Sequence, residues 1–516
     1  MARDQASQLL GQLAARGVRV SGLATDSRQV QRGDVFLAWP GARVDGRAHV
    51  ADAVAAGAAA VLWERDGFEW NPDWTLPNIA VPGLRALAGE LAHEAYGRPS
   101  EKLWTMGVTG TNGKTSCSQW IAQACTACGA RTAVIGTLGI GFPPPLDDAS
   151  ALGNEENAWN LTPVANTTPD PVLLHRSLAG LLAQGAQGVA MEASSIGLDQ
   201  GRVNGVAFGA ALFTNLSRDH LDYHGDMETY ARAKQKLFEM PGLKHAVLNL
   251  DDVQGVTISR LLAGSGVTRT GYSASSGVAM RAGLECWLEA HDVAVSSAGI
   301  AFTVKSSWGD ARVESRLLGR FNIANLLGVL GTMLVSGVPF FQAAAALARL
   351  AAVPGRLQRH GGGAQPLVVV DYAHTPDALE KTLVTLKDVA RATNGRLLCV
   401  FGCGGDRDRG KRPLMGAVAL RHADAIVLTS DNPRSEDPQA IIDDILSGMA
   451  AAQAQPQAEP DRARAVRLAL DQARAGDVVL LAGKGHEDYQ EIGGRKLPFS
   501  DGAAAAEALA QWRGPA

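Results

Sequence analysis

At 516 residues, 46% of them hydrophobic, the chain exceeds what one hydrophobic core supports, and about two to four α/β-sized domains are expected. A net charge of −4 without a long Lys/Arg run excludes broad attraction for nucleic acid. The start, Met1-Ala2-Arg3-Asp4-Gln5, has no apolar run of a secretory signal and no Arg-rich transit pattern, which predicts a cytoplasmic protein.

Residues 1–100 alternate short apolar runs with Ala-rich segments. Strands are expected at Gly17–Val20, Asp34–Ala38 and Ala59–Leu62, and helices at His49–Ala56 and Leu84–Tyr96. The polar connections Thr25-Asp26-Ser27-Arg28 and Gly41–Gly46 fall at strand ends, where α/β folds place ligands, although each also reads as a plain loop. Gly97-Arg98-Pro99-Ser100 is a plausible joint.

The next segment, 101–356, opens with Leu103–Thr109, a buried-strand pattern that runs into Gly110-Thr111-Asn112-Gly113-Lys114-Thr115-Ser116 and then a helix. Glycines here let backbone N–H groups converge on an anion, the helix N-terminus adds its dipole, Lys114 can reach terminal phosphates and Thr115 can hold Mg²⁺. The spacing is shorter than G-x-x-x-x-G-K-[ST], since Val108 stands where the first glycine belongs. A strand at Arg131–Gly136 follows, then a surface excursion at 142–160, then a helix capped by Asn166-Thr167-Thr168-Pro169. Two further strands deliver Glu192, and Asn215, Asp219, His220 and Asp222, to the same sheet edge as the phosphate loop, where a carboxylate and an imidazole can serve a nucleotide's Mg²⁺. Phe321–Ala348 has no charged residue and is long enough to span a bilayer, but Asn322, Asn325, Ser336-Gly337, Pro339 and Gln342 favour two buried helices broken at 336–339 and no membrane insertion. Cys125-x-x-Cys128 lies on the phosphate-loop helix without a second pair, so reduced buried thiols are expected rather than zinc.

Residues 357–516 read as a third α/β unit. Each of its strands ends in a polar or glycine-rich loop: Asp371–His374, Gly402–Gly405, Ser430–Arg434 and Gly483–Glu487. No G-x-G-x-x-G opens it, which disfavours a nicotinamide site. Arg407, Arg434, Lys484 and Glu487 suggest a zwitterion pocket, with guanidinium for carboxylate and carboxylate for ammonium.

Taken in order, Gly110–Thr115, Glu192-Ala193-Ser194-Ser195, Asn215–Asp222, Gly319–Asn325 and Asp371–Pro376 resemble the Mur ligase family of ATP-dependent amino-acid ligases over nearly the whole chain. Asp431-Asn432-Pro433-Arg434 resembles the signature of members that add meso-2,6-diaminopimelate to UDP-N-acetylmuramoyl-L-alanyl-D-glutamate (UDP-MurNAc-L-Ala-D-Glu). The shortened phosphate loop is that family's own form. Ile196 departs from the His that many relatives carry after the paired serines.

The resemblance implies a monomeric α/β enzyme of three domains. A small N-terminal α/β domain (1–100) would hold the UDP-sugar, a central domain with a P-loop ATPase-like parallel sheet (101–356) the ATP, and a Rossmann-like C-terminal domain (357–516) the amino acid. ATP would lie against Gly110, Thr111, Asn112, Gly113, Lys114, Thr115, Ser116, Asn322, Arg356 and Asp371. Thr25, Ser27, Ala42, Arg43 and Val44 would contact the uridine end, and Asn166, Thr167, Thr168, Ser194, Gln200 and Arg202 the muramoyl-dipeptide. Arg407, Asp431, Asn432, Pro433, Arg434, Gly483 and Glu487 would form the diaminopimelate pocket. Lys114, Glu192, His220 and Lys234 would be catalytic. Thr115, Glu192, His220 and a carboxylated Lys234 would bind Mg²⁺. Without the family, Lys234 reads as a solvated helix lysine, cationic and unable to coordinate.

The chemistry expected is transfer of the γ-phosphoryl of ATP to a carboxylate and attack of an amine on the acyl phosphate, which needs charge neutralisation and positioning above all. Excluding water would require the third domain to close on the second about Pro354-Gly355-Arg356. The alternatives are a lysine-adding ligase of the same family, a folylpolyglutamate synthetase-like enzyme, and a P-loop NTPase module that ligates nothing.

Overall fold

The computed structural model describes residues 2–41, 44–146, 159, 161–296, 299–449 and 456–514. It is an α/β protein built on three sheets, with a two-stranded hairpin on the last. Among the described residues no helix is long and apolar enough to cross a membrane.

The first sheet is parallel, in the order Leu23–Ala24, Val35–Ala38, Ala60–Glu64 and Asn78–Val81. The strand expected at Gly17–Val20 is absent. Those residues end a helix, Ala2–Ala15, whose Ala6, Leu9 and Leu13 form an apolar stripe against Leu84, Leu87, Ala88 and Leu91 of the helix Leu84–Ala95. Gly17 adopts φ 77°, with Gly17 N donating to Ala14 O at 2.9 Å and Val18 N to Leu13 O at 3.0 Å, the paired bonds of a Schellman cap.

The central sheet has ten strands. Seven run parallel, in the order Cys286–Ser296, Thr268–Ser273, His245–Asn249, Ala210–Phe213, Trp104–Thr109, Gly188–Glu192 and Thr132–Gly136. The parallel expectation holds for this core but not for its edges. Gly139–Gly141 closes one side antiparallel, and Gly299–Ser306 and Gly309–Ser315 extend the other. Ile300, Phe302 and Val304 alternate inward there, the period-two pattern of a half-buried strand. The uncharged stretch forms two buried helices, Phe321–Val335 and Phe340–Ala348, separated as expected at Ser336–Pro339. Of the 142–160 segment, 147–158 and 160 lie outside the described residues. Its flanks are more than a surface excursion, because Leu146 and Trp159 are buried in the central core. The helix Pro171–Ala183 is capped by Asp170, whose Oδ1 accepts from Val172 N and Leu173 N, and not by Asn166–Pro169: with Pro171 at its first turn, the preceding residue is extended and supplies the cap.

The third sheet runs Gln358–Gly361, Leu367–Asp371, Val478–Ala482, Leu397–Phe401, Ala425–Leu428 and Gln457–Ala458, with only the first strand antiparallel. Arg462 and Asp501, both fully buried, pair at 2.7 Å beneath it. The cysteines are free, Cys125 and Cys128 included, and burial pushes the Cys125 thiol up to about 12.

Candidate active site

The strand Trp104–Thr109 feeds the phosphate loop, and the loop turns into the helix Lys114–Ala127. Gly110 (φ 149°) and Gly113 (φ 88°) carry the turn. A Cβ at Gly110 would lie 1.9 Å from Thr214 Oγ1, and one at Gly113 2.7 Å from Asn325 Oδ1, so both positions need glycine for space as well as conformation. Asn215 braces the loop by accepting from Thr111 N at 2.8 Å and, through Oδ1, from Asn112 N at 2.9 Å. Lys114 Nζ curls back to donate to Gly110 O and Thr111 O, each at 2.9 Å, and burial lowers its pKa.

A cavity of about 400 Å³ opens beside the loop, between the central and third sheets, and is lined from both. It brings together the loop residues, Glu192, Asp219, His220, Lys234, Asn322, Arg356 and Asp371, all singled out above. Glu192, fully buried at the end of its strand, accepts from Thr115 Oγ1 at 2.9 Å and Thr137 Oγ1 at 3.0 Å on Oε2, and from Thr137 N at 2.8 Å on Oε1. Gly136 makes room for it, since a Cβ there would lie 2.3 Å from Glu192 Oε1. His220 adopts φ 53° and lies with Nε2 3.4 Å from Asp219 Oδ2, and burial pushes its pKa down to about 4. Burial opposes ionisation of Asp219, but His220, His374, Lys411 and Lys114 hold it at about 2. Asp222 does not join them and is exposed on the helix Leu221–His224.

Lys234 is not the solvated lysine that its polar helix Met227–Gln235 suggests. It is 1% exposed, donates to Gly110 O at 2.7 Å and stands 4.4 Å from the centre of the Tyr230 ring. Burial, then Lys114, drives its pKa well below the ordinary lysine value. From the other side of the cavity, Arg356 Nη2 donates to Thr115 Oγ1 at 3.1 Å while its guanidinium stacks 4.5 Å over Tyr372. Asp371 is buried, which raises its pKa, and its oxygens accept from Leu357 N, Ala373 N and Thr382 Oγ1. Asn322 Oδ1 accepts from Asn325 Nδ2 at 2.9 Å. Asn325 was not among the expected site residues; the i+3 spacing puts it on one helix face with Asn322, and the fold sets its Oδ1 where a Cβ on Gly113 would fall.

Next to Glu192, the Thr168 hydroxyl reaches Glu192 O at 2.8 Å and Ser194 Oγ at 3.1 Å, and Thr167 Oγ1 meets Thr137 Oγ1 at 3.1 Å. Arg202 donates to Thr168 O at 2.8 Å and to Gln200 Oε1 at 2.7 Å. Thr167, Thr168, Ser194, Gln200 and Arg202 are thus continuous with the cavity, and Asn166 stands exposed beside them. Thr25 crosses from the first sheet, its Oγ1 3.5 Å from Asp170 Oδ1. Ser27 is buried and Val44 exposed, whereas Ala42 and Arg43 lie outside the described residues.

On the third sheet, Asn432 Nδ2 donates to Glu487 Oε2 at 2.8 Å, and Lys484 Nζ, fully buried, donates to the same oxygen at 3.0 Å and to Asn432 Oδ1 at 3.2 Å. Asp431 Oδ1 lies 3.6 Å from that ammonium, with Gly483 (φ 114°) packed against the carboxylate. Arg434, also left-handed at φ 53°, donates to Gly405 O at 2.7 Å and stands 3.3 Å from Glu491 Oε2. Arg407 is exposed beside it, across Gly404. Glu491 lies on the hairpin strand Tyr489–Ile492, and nothing in the sequence placed it at Arg434.

Family models match in three consecutive blocks: "Mur ligase family, catalytic domain" over 19–96, "Mur ligase middle domain" over 108–333 and "Mur ligase, glutamate ligase domain" over 355–485. The chain belongs to the Mur ligase family. Members of this family are ATP-dependent, ADP-forming ligases. This Mur ligase is 52% identical, over 96% of its length and 95% of the relative's, to the UDP-N-acetylmuramoyl-L-alanyl-D-glutamate–2,6-diaminopimelate ligase of Chromobacterium violaceum. It is 48% identical to the enzyme of the same name from Janthinobacterium sp. strain Marseille, over 98% and 96% of the two chains. A solved structure of a ligase of that name superposes with a TM-score of 0.65 at 38% identity, covering 95% of each chain.

Proposed function

We propose that this Mur ligase joins meso-2,6-diaminopimelate to the D-glutamyl γ-carboxylate of UDP-MurNAc-L-Ala-D-Glu at the expense of ATP, as a cytoplasmic monomer in peptidoglycan precursor synthesis. The observation that carries the reading is a pairing of sites: a phosphate loop whose cavity is lined by Lys114, Lys234 and Arg356, and on the next sheet a zwitterionic cluster of Asp431, Asn432, Lys484 and Glu487 beside Arg434. Both relatives above carry diaminopimelate in their names, which favours this over a lysine-adding or folylpolyglutamate enzyme. In this reading residues 1–100 hold the uridine nucleotide through Thr25, Ser27 and the 42–44 turn, 101–356 hold ATP and the dipeptide, and 357–516 bring the amine.

In the first half-reaction a γ-carboxylate oxygen attacks the γ-phosphorus of ATP, and the bond to ADP breaks. Lys114 turns from its own loop carbonyls to the phosphates, and Arg356 adds a second cation across the cavity. In the second, the neutral amine attacks the acyl carbon and phosphate leaves. Asp431 and Glu487 orient the distal ammonium of diaminopimelate, and Arg434 and Arg407 its distal carboxylate. Thr115 and Glu192 offer the hard oxygen donors that Mg²⁺ prefers, and burial keeps His220 neutral at neutral pH, able to ligate. Among the described residues no three His, Cys, Asp or Glu side chains cluster as a metal site; in this reading an anionic oxygen on a carboxylated Lys234 would join them. Bound there, Mg²⁺ would neutralise phosphate charge.

An amino-acid panel read by ADP release tests the proposal. Release is expected with diaminopimelate only when the UDP-dipeptide is present. Equal turnover with L-lysine would reassign the substrate, and release without the UDP-dipeptide would leave a mere NTPase.

A further inference from the structure

The loops that carry Arg407 and Arg434 follow different strands, Leu397–Phe401 and Ala425–Leu428, and lie beyond the hydrogen bonds of the sheet. Each holds one residue with a side chain in the left-handed region: Asp406 and Arg434, both at φ 53°. That conformation is unfavourable for any residue with a Cβ and persists where the surroundings over-determine it.

At Arg434 the hairpin supplies the determination, Arg434 N donating to Glu491 O at 2.9 Å and Gly493 N to Arg434 O at 2.8 Å; at Asp406 it is Glu436. Its Oε1 accepts from the Asp406 backbone N–H at 2.6 Å and from Arg412 Nη2 at 2.9 Å, and its Oε2 from Arg412 Nη1 at 3.0 Å and Arg409 Nη2 at 2.9 Å. Arg412 is 1% exposed and also reaches Gly404 O at 3.3 Å, so the fork grips both loops from beneath. Two further rungs bind the loops to each other: Ser435 Oγ donates to the Asp406 carboxylate at 2.7 Å, and Gly405 N to Asn432 O at 2.9 Å. Gly405 leaves no slack, since a Cβ there would fall 1.9 Å from Pro433 O. Arg412 first, and then the Asp406 amide, hold the Glu436 carboxyl at about 2, so the clamp stays charged wherever the enzyme works.

We propose that Glu436 is a positioning residue: by clamping Arg412 and the Asp406 amide it fixes the distance between Arg407 and Arg434, and with it the selectivity for an amino acid bearing a second, distal carboxylate. This rests on the diaminopimelate reading above. A carboxylate gripped by two guanidinium groups is sensitive to their spacing, whereas a lysine side chain, with no distal carboxylate, is indifferent to it.

Glu436→Gln keeps the shape and an acceptor for the Asp406 amide but removes the charge facing Arg412. It should raise KM for meso-diaminopimelate roughly tenfold or more, and narrow the preference over L-lysine by the same factor. KM for ATP and for the UDP-dipeptide should stay within about twofold. Glu436→Asp, which retains the charge, should recover part of the loss. An unchanged KM for diaminopimelate, or parallel changes for all three substrates, would overturn the proposal. Should E436Q not fold, Asp406→Ala removes the bonds from the hydroxyl and the amide of Ser435 and must show the same split in smaller measure; unaltered selectivity there would overturn it equally. A wild-type enzyme that takes no diaminopimelate refutes the functional reading instead.

Discussion

Lys234 Nζ lies 2.7 Å from the carbonyl oxygen of Gly110, so a lysine of the helix Met227–Gln235 and the first glycine of the phosphate loop act as one unit. A buried amine with a depressed pKa is neutral in a larger fraction of molecules near pH 7, and the neutral form is the one that adds carbon dioxide. Lys234→Ala is therefore expected to lose activity by roughly 10³-fold and to regain part of it with a small added carboxylic acid. Lowering the pH should remove the modification, and added bicarbonate should restore it, which intact-mass measurement follows directly. Full activity in the alanine variant, or in enzyme shown to be unmodified, would refute the ligand role.

Gly136 gives a test of Glu192 that leaves the carboxylate in place. A methyl group there must push Glu192 Oε1 aside from 2.3 Å. Gly136→Ala should lower kcat about 10²-fold, because displacement of a positioned group by about an ångström has that scale of effect. Thermal melting should show the fold retained. Wild-type turnover in this variant would remove Glu192 from the chemistry.

Arg434 and Glu491 set up an exchange of partners. The guanidinium has an internal carboxylate at 3.3 Å, which an incoming distal carboxylate would have to replace or share. Arg434→Ala should raise KM for diaminopimelate roughly 10²-fold with little change for ATP, and bring L-lysine closer to parity. Glu491→Gln frees the guanidinium and should lower KM for diaminopimelate by a few-fold at most. Retained preference in the Arg434 variant would place the pocket elsewhere.

Acid should weaken the fold where the first sheet's helix meets the central domain. His175 is fully buried, donates from Nε2 to Asn204 O at 2.9 Å, and packs edge-on to His93 at 5.3 Å. Burial pushes its pKa down to about 4. With the folded value below the unfolded one, its contribution to stability is complete above about pH 6.5 and is lost as pH falls toward 4, by on the order of 3 kcal/mol. Melting curves across that window should show the decline, and His175→Gln should flatten it. A slope unaltered in the variant would assign the acid sensitivity to other groups.

How much of this was legible depended on the range of the contacts. The phosphate loop and Glu192 could be read because glycine, lysine and a strand-end carboxylate declare their chemistry locally. Lys234 could be named only through the family resemblance: its helix, Met-Glu-Thr-Tyr-Ala-Arg-Ala-Lys-Gln, is polar, and its contact with Gly110 O spans 124 positions. The helix Ala2–Ala15 escaped for the opposite reason, since an Ala/Leu stripe gains meaning only against Leu84–Ala95. The residues of the proposed diaminopimelate pocket were named from a motif, and Lys484 from its strand-end loop, but Glu491 reaches Arg434 only through the hairpin Tyr489–Pro498 folded beside it, which no local pattern announces.

Gly355 has φ 67°, and a Cβ on it would sit 2.1 Å from His486 N, while one on Gly485, at φ 55°, would sit 2.8 Å from Gly355 O. One residue further on, Arg356 touches Thr115, and two residues beyond Gly485 stands Glu487. The two halves of the proposed reaction would thus meet at a crossing of two bare backbones. Neither segment of that crossing can be thickened by even a single methyl group without pushing the two backbones apart, and with them the loops that carry Arg356 and Glu487.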